Sequence, residues 1–302
     1  MAVTNTETFT NPRDNLPNTY TNVAAREIDF TSRFGRNIKA MRDVLNIARP
    51  IKKQNGTRLV SYTADVTLES GSVDPGCVIP YSKSAITATL LGDVTVEKYA
   101  KAVTIEEVKE YGAEIAIEKS DDAFLNKLQS LLTGRFYTLM LNNASALTGT
   151  YGTWQMAVAM AIGKVRNKFQ SIDRDITDVV VYANTLDAYA YLGAAGITVQ
   201  TAFGMTYVEN FLGAKVLVLT DRIPSGKVVA IPSENIVMYY VDPADSEYAR
   251  LGLEYRTDGD TNYIGFHAQG NYSTAVGESF ALMGMALWLE LADGEALITV
   301  GA

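Results

Sequence analysis

Val60-Ser61-Tyr62-Thr63-Ala64-Asp65-Val66-Thr67-Leu68-Glu69 alternates apolar and polar residues without a break. This is the period-two pattern of a strand with one face to be covered. A turn cluster follows at Gly71, Ser72, Asp74, Pro75, Gly76 and Pro80. The chain returns through Ile86, Ala88 and Leu90, spaced by Thr87 and Thr89, and continues through Tyr99, Lys101, Val103 and Ile105. The expectation is a long two-stranded ribbon over residues 57–105. Such a hairpin is marginal alone in water, because its apolar face has nothing to pack on and its edges are open. The cover must come from elsewhere, and a neighbouring copy of the chain is the natural candidate. Val60, Tyr62, Val66, Leu68, Ile86 and Leu90 are therefore expected at intersubunit contacts.

After the ribbon comes an amphipathic helix. Ser120 is placed to cap it, Asp121 and Asp122 fall in its first turn, and Leu125, Leu128, Leu132, Phe136 and Leu139 form its apolar stripe. The spacing predicts a helix from Asp121 to Leu147, ended by Gly149. A second helix carries Trp154, Ala157, Val158, Ala161, Val165 and Phe169. Val179-Val180-Val181-Tyr182 reads as a buried strand followed by a short helix, Thr185 to Leu192, and a loop at Gly193-Ala194-Ala195-Gly196. Val216–Leu219 and Val228–Ile231 read as strands flanking the Pro224-Ser225-Gly226 turn. From Ile236 onward the pattern is mostly strand-like, and the mixture of elements indicates an α+β fold.

Ahead of the ribbon, Thr and Asn dominate from Thr4 to Asn22, with isolated Phe9, Leu16 and Tyr20. The first 36 residues therefore read as an arm that orders only in assembly and is dispensable for folding. Helical spacing is read from Ile38, Met41, Leu45 and Ala48, ending at Arg49 before Pro50. Residues 1–60 hold ten basic residues against five acidic ones, whereas the whole chain carries a net charge of −8. A basic segment on an acidic body points to attraction between copies or to a polyanion, against the plainer reading of a solvated helix face. Arg33, Arg36 and Arg42 are its candidate contacts with a neighbouring copy.

At 302 residues and 47% hydrophobic, the chain can fill two lobes. No apolar run approaches the roughly 20 residues that cross a bilayer, and the start has neither a basic leader nor an apolar core, so no membrane partner is expected. The single cysteine, Cys77, rules out an internal disulfide framework and fits a reducing cytoplasm. Catalysis fails on inventory. His267 is the only histidine and lies in an alternating strand, no Gly-rich phosphate loop occurs, and one His with one Cys makes a poor zinc site. Asp258-Gly259-Asp260-Thr261-Asn262 imitates a calcium loop but has Tyr263 where glycine is needed and Gln269 where glutamate is, and so reads as a polar turn. No catalytic, cofactor or metal residue is assigned.

The order of elements resembles the major capsid proteins of tailed bacteriophages, with the Hong Kong 97 type fold. The resemblance is carried by the ribbon, the helix ending in Ala146-Leu147-Thr148-Gly149, Phe211-Leu212-Gly213-Ala214-Lys215-Val216 followed by Ile223-Pro224-Ser225-Gly226-Lys227, and Tyr263 to Phe280 with Tyr272 and Glu278. It implies an N-terminal arm with a short helix (1–56), an extended hairpin called the E-loop (57–105), a peripheral (P) domain with a spine helix (106–152 and 241–277) and an axial (A) domain (153–240 and 278–302). It further implies self-assembly in the host bacterial cytoplasm, as pentamers and hexamers, into the icosahedral shell of a virion. That shell holds double-stranded DNA nonspecifically, and a portal protein is a further partner. With no charged helical leader ahead of the arm, scaffolding is expected as a separate protein. The alternatives are an encapsulin-type compartment shell, which shares the fold, and an α+β ligand-binding protein or enzyme.

Overall fold

Phe30, Phe34, Ile38 and Met41 recur at spacings of three and four, the rhythm of one helix face. In a computed structural model, which describes residues 19–45, 47, 50–195, 198–202, 205–245, 248, 250 and 252–301, they lie on helix α1 (Thr19–Val44) and are buried. The chain continues through β1 (Ile51–Lys52), β2 (Thr57–Thr67), β3 (Lys83–Val94), β4 (Glu97–Thr104), α2 (Ile105–Tyr111), α3 (Ala113–Leu141), β5 (Leu147–Tyr151), α4 (Trp154–Ser171) and β6 (Val179–Asn184). It ends with α5 (Thr185–Ala195), β7 (Gln200–Ala202), β8 (Met205–Phe211), β9 (Ala214–Thr220), β10 (Lys227–Pro232), β11 (Ile236–Val241), β12 (Ile264–Asn271), β13 (Val276–Leu289) and β14 (Ala296–Val300).

The expected arm is corrected by α1. Residues 1–18 lie outside the described residues, but from Thr19 the chain is helical and its apolar face enters the main core. Phe30 stacks on Phe266 of β12 at 4.1 Å between centroids. Arg26 of α1 donates from Nε and Nη2 to the buried Asp121 carboxylate on α3, at 2.5 and 2.8 Å, and Lys101 of β4 approaches the same carboxylate at 2.5 Å. Burial alone would raise the Asp121 carboxyl, but the hydrogen bonds from Arg26 and Lys101 outweigh it and hold it below its ordinary value. Lys101 is itself lowered, first by burial. Asp121 thus joins helix, helix and sheet rather than sitting in a first turn.

The long helix runs earlier than expected. Thr104 and Glu107 form a reciprocal capping box at the start of α2. Gly112 separates α2 from α3, which ends at Leu141, and Leu147–Tyr151 is a strand instead of a helix end. Ser120 accepts from Lys101 Nζ at 2.6 Å within the helix and caps nothing. The stripe Leu125, Leu128, Leu132 and Phe136 is buried as expected, with Leu139 packed at its margin. Helix α5 extends to Ala195, so the loop expected from Gly193 is helical for its first three residues, and Gly196 lies outside the described residues.

Two sheets organise the rest. In the seven-stranded sheet the order is β5-β14-β10-β6-β9-β8-β7, so β6 separates the strands expected to flank the Pro224 turn. Val180, Tyr182, Val216, Val218, Val229 and Ile231 face the core shared with α1 and α3, whereas Val179, Val181, Leu217, Val228 and Ala230 face α4. A sheet covered on both faces explains the unbroken apolar runs. The second sheet joins β1, β11, β13 and β12, with β4 also paired to β13. Strand β13 stays in this sheet to Leu289, and β11 joins it there, while β5 belongs to the seven-stranded sheet. Register explains this, because β13 pairs continuously with β4 and then β11 along one line.

Glu295, at the entry to β14, is fully buried. Its Oε2 accepts from Asn143 Nδ2 at 2.7 Å, while Oε1 has no partner among the described residues. Burial pushes its carboxyl up to about 8, against the opposing pull of Asn143. In the unfolded chain the group titrates near 4.5, so between these values the folded state holds a proton that the unfolded state has lost. Its contribution is therefore present below pH about 4.5 and lost by about pH 8. Urea midpoints of the unassembled subunit should fall over that window, and Glu295→Gln should flatten the fall; an unchanged slope would place the titration elsewhere. Because α1 belongs to the core, Phe34→Ala should cost about 3–5 kcal/mol in the same measurement, and removal of residues 1–36 should unfold the subunit.

Candidate functional site

Strands β2 and β3 pair only with each other. Their register sets Val60 against Leu90, Tyr62 against Ala88, Ala64 against Ile86 and Val66 against Ser84, so the apolar residues of both strands share one face. That face is open. Tyr62 is 68% exposed, Ile86 72% and Leu90 58%, while Val60 is half-buried nearer the root. Leu68, just beyond the end of β2, is 79% exposed. Of the six ribbon residues expected at contacts, five are thus exposed and Val60 is half-buried, so beyond the root the apolar stripe has no cover from its own subunit.

The ribbon is shorter than expected. It closes at Val94, and residues 97–104 leave it as β4 to pair with β13. The exit follows from a β-bulge. Leu59 pairs with Gly92 but Val60 with Leu90, which leaves Leu91 unmatched. Beyond this extra residue Val94 joins the face of Leu59, and both are buried against Val241, with Trp288 packed beside them. Gly92 has φ +152°, and a Cβ there would lie 2.6 Å from the Trp288 ring. Only glycine lets the indole press on the ribbon root.

A groove of about 610 Å³ opens beside this root, lined by Leu90, Leu91, Leu132, Leu139, Met285 and Trp288 among others. Its charged groups are matched inside the subunit. Arg135 Nη1 donates to Glu97 Oε1 at 2.5 Å, Tyr99 also donates to Glu97, and Arg58 lies 3.7 Å from Asp93. Burial raises Glu97, but Arg135 and Tyr99 hold it below its ordinary value, and burial with Glu97 pushes Tyr99 up to about 12.

The basic residues expected alongside the stripe are not brought to it. Arg33 pairs with Asp122 of α3 and, at 3.5 Å, with Asp29, and Arg42 Nη1 donates to the Tyr263 hydroxyl at 3.1 Å. Both are engaged within the subunit because α1 packs on its own body. Arg36 is exposed on α1. His267 Nδ1 lies 3.4 Å from Glu27, and Asp258 accepts from the Thr261 and Asn262 amides as a polar turn. Among the described residues no helix is long and apolar enough to cross a membrane, and no group of three metal-ligating residues occurs.

Sequence reasoning passed over the ribbon tip. Val78 and Tyr81 are 88% and 95% exposed, and Ile79 is exposed beside them. Their signal was present, as large apolar residues inside a turn cluster. The root makes a direct prediction. Gly92→Ala should lower subunit stability by about 1–3 kcal/mol through the clash with Trp288 and speed hydrogen exchange at residues 57–60; native protection there would mean that the indole does not fix the root.

No protein-family model matches the sequence, and no curated protein matches it significantly. In three dimensions the chain is similar to the capsid asymmetric unit of cyanophage A-1(L), at 12% identity over 86% of this chain and 92% of that one, with a TM-score of 0.54. It is similar to the mature capsid of bacteriophage PhiM1, at 8% identity over 83% and 84%, with a TM-score of 0.52. A structure from Mycobacterium phage Che8 aligns at 13% identity over 82% and 85%, with a TM-score of 0.50. At such low identity the likeness is one of architecture: the chain has the Hong Kong 97 type fold of phage capsid subunits.

Proposed function

We propose that this chain is the major capsid protein of a tailed bacteriophage, a structural subunit that assembles through pentamers and hexamers into the icosahedral shell around packaged double-stranded DNA. The observation that supports this most directly is the open apolar face of β2–β3, carried by a subunit with the capsid fold. A folded monomer rarely exposes so continuous an apolar surface unless a partner covers it. In this reading β2–β3 is the E-loop, α3 the spine helix, the five-stranded sheet the P domain and the seven-stranded sheet the A domain. Each contact between copies can be weak, since closure of the shell engages many at once.

Scaffolding and a portal are the co-assembly partners that this reading calls for, and assembly takes place in the host cytoplasm. DNA is held without sequence readout. The molecule works through its interfaces and not through a catalysed reaction.

Electron microscopy of the purified protein tests the reading. Closed shells protecting nuclease-resistant DNA in infected cells support it, shells filled with an enzyme would replace it by a compartment protein, and a discrete monomer at all concentrations would overturn it. Val66→Asp places a charge on the stripe, where desolvation without a partner costs several kcal/mol. Its exposure in the subunit predicts a native denaturation midpoint together with a large loss of particles by light scattering. Normal shells from Val66→Asp would show that this face is not covered by a neighbour.

A further inference from the structure

We propose that the pocket between helix α3 and the seven-stranded sheet binds a small phosphate-class oxyanion, held by the guanidinium of Arg222 and the side-chain amide of Gln129. This goes beyond the shell reading and does not rest on it. The pocket holds about 400 Å³, within the roughly 300–1,000 Å³ of small-ligand sites. Thr220 ends β9, Thr185 follows the end of β6, and these two strands run parallel with Asn184 beside Thr220. Thr185 and Thr220 both line the pocket, and Ser130 and Thr133 of α3 line it from the other side. It therefore lies beyond the carboxyl ends of a parallel strand pair, where α/β sheets gather their ligands.

Two donors in this pocket lack an acceptor that matches them. Gln129 is only 9% exposed, and its Nε2 has no hydrogen-bond partner among the described residues. A buried amide left so costs free energy, which an acceptor arriving from solution would recover. Arg222 donates from Nη2 to the Ser130 hydroxyl and forms no ion pair among the described residues. Helix α3 prepares its place. A Cβ on Gly134 would lie 2.6 Å from Arg222 Nη1, so this mid-helix glycine leaves the room that the guanidinium occupies. A guanidinium held in that way presents a planar fork of donors that matches phosphate oxygens bidentately. Asp221 is the one acid of the lining and opposes an anion. It is exposed, so water and salt screen it, and it restricts the site to a small charge.

Calorimetric titration of the full-length chain with inorganic phosphate and with ribose 5-phosphate tests the site, with ribose as the neutral control. At least one of the two phosphates should bind with a Kd below about 1 mM, and ribose should not bind. Tighter binding of ribose 5-phosphate would make a sugar phosphate the source of the oxyanion, and equal binding would make it the free ion; either supports the site. Arg222→Met and Gln129→Leu should each weaken binding about tenfold or more. Gly134→Ala should keep the fold, because alanine favours a helix interior, yet weaken binding by displacing the guanidinium. Asp221→Asn should tighten binding. Failure of both phosphates to bind, equal binding of ribose, or affinities unchanged in Arg222→Met and Gln129→Leu would overturn the site. Weaker binding by Asp221→Asn would overturn it too, because the acid would then be the group that receives the ligand. Shells formed by a chain that binds neither phosphate would leave the shell reading standing.

Discussion

The pairing of β2 with β3 alone is the constraint on which the rest of the subunit depends. A two-stranded sheet that projects from its body has two faces and no interior, so it can bury apolar surface only at its root or on another molecule. The subunit resolves the root internally. The bulge at Leu91 brings Val94 onto the face of Leu59, and the Trp288 indole lies against Gly92 to close that contact. Beyond the root the stripe is left bare, and the energy it holds in contact with water becomes available to association at about 25 cal/mol per Å² of apolar surface covered.

A projecting ribbon needs a rigid base, and the base is overdetermined. Helices α1 and α3 share one core with alternate residues of the seven-stranded sheet, and helix α4 covers the opposite face. Asp121 holds Arg26 and Lys101 together where α1, α3 and β4 meet. Loss of one partner from such a buried ionic group typically costs about 3–5 kcal/mol, because the remaining charge is left without compensation. Strand β13 carries the rigidity outward, since it pairs with β4, β11 and β12 and also bears Trp288. The ribbon root and the subunit core are consequently one mechanical unit.

Much of this was legible in the sequence, for reasons of period. Alternation identified the ribbon stripe because a strand repeats every two residues, and the stripe of α3 was visible because Leu125, Leu128, Leu132 and Phe136 keep helical spacing. The part of helix α1 before Ile38 was missed from the same kind of signal. Phe30, Phe34, Ile38 and Met41 keep that spacing too, but Thr31, Ser32 and Gly35 lower local propensity, and the Thr/Asn-rich run before them masks the start. Gly35 is tolerated because α1 presses on Asp258, which a Cβ there would approach to 2.4 Å. The end of the ribbon was not legible, since a bulge shifts parity by one residue and leaves no mark in composition. Nor was the engagement of Arg33 and Arg42, which depends on long-range packing of α1.

The bulge also bears on how the chain can change length over evolutionary time. Between Val60 and Val66 every residue's side is fixed by parity, so one inserted or deleted residue would turn the stripe inward and its threonines outward. Only coupled changes of two residues per strand preserve its sidedness, and each such step lengthens or shortens the reach of the ribbon by about 7 Å. Insertions at the tip, between Leu68 and Ser82, escape this rule because no ladder crosses them. Divergent relatives built on the same plan should therefore vary freely in loop length at the tip, while their paired strands grow in even increments.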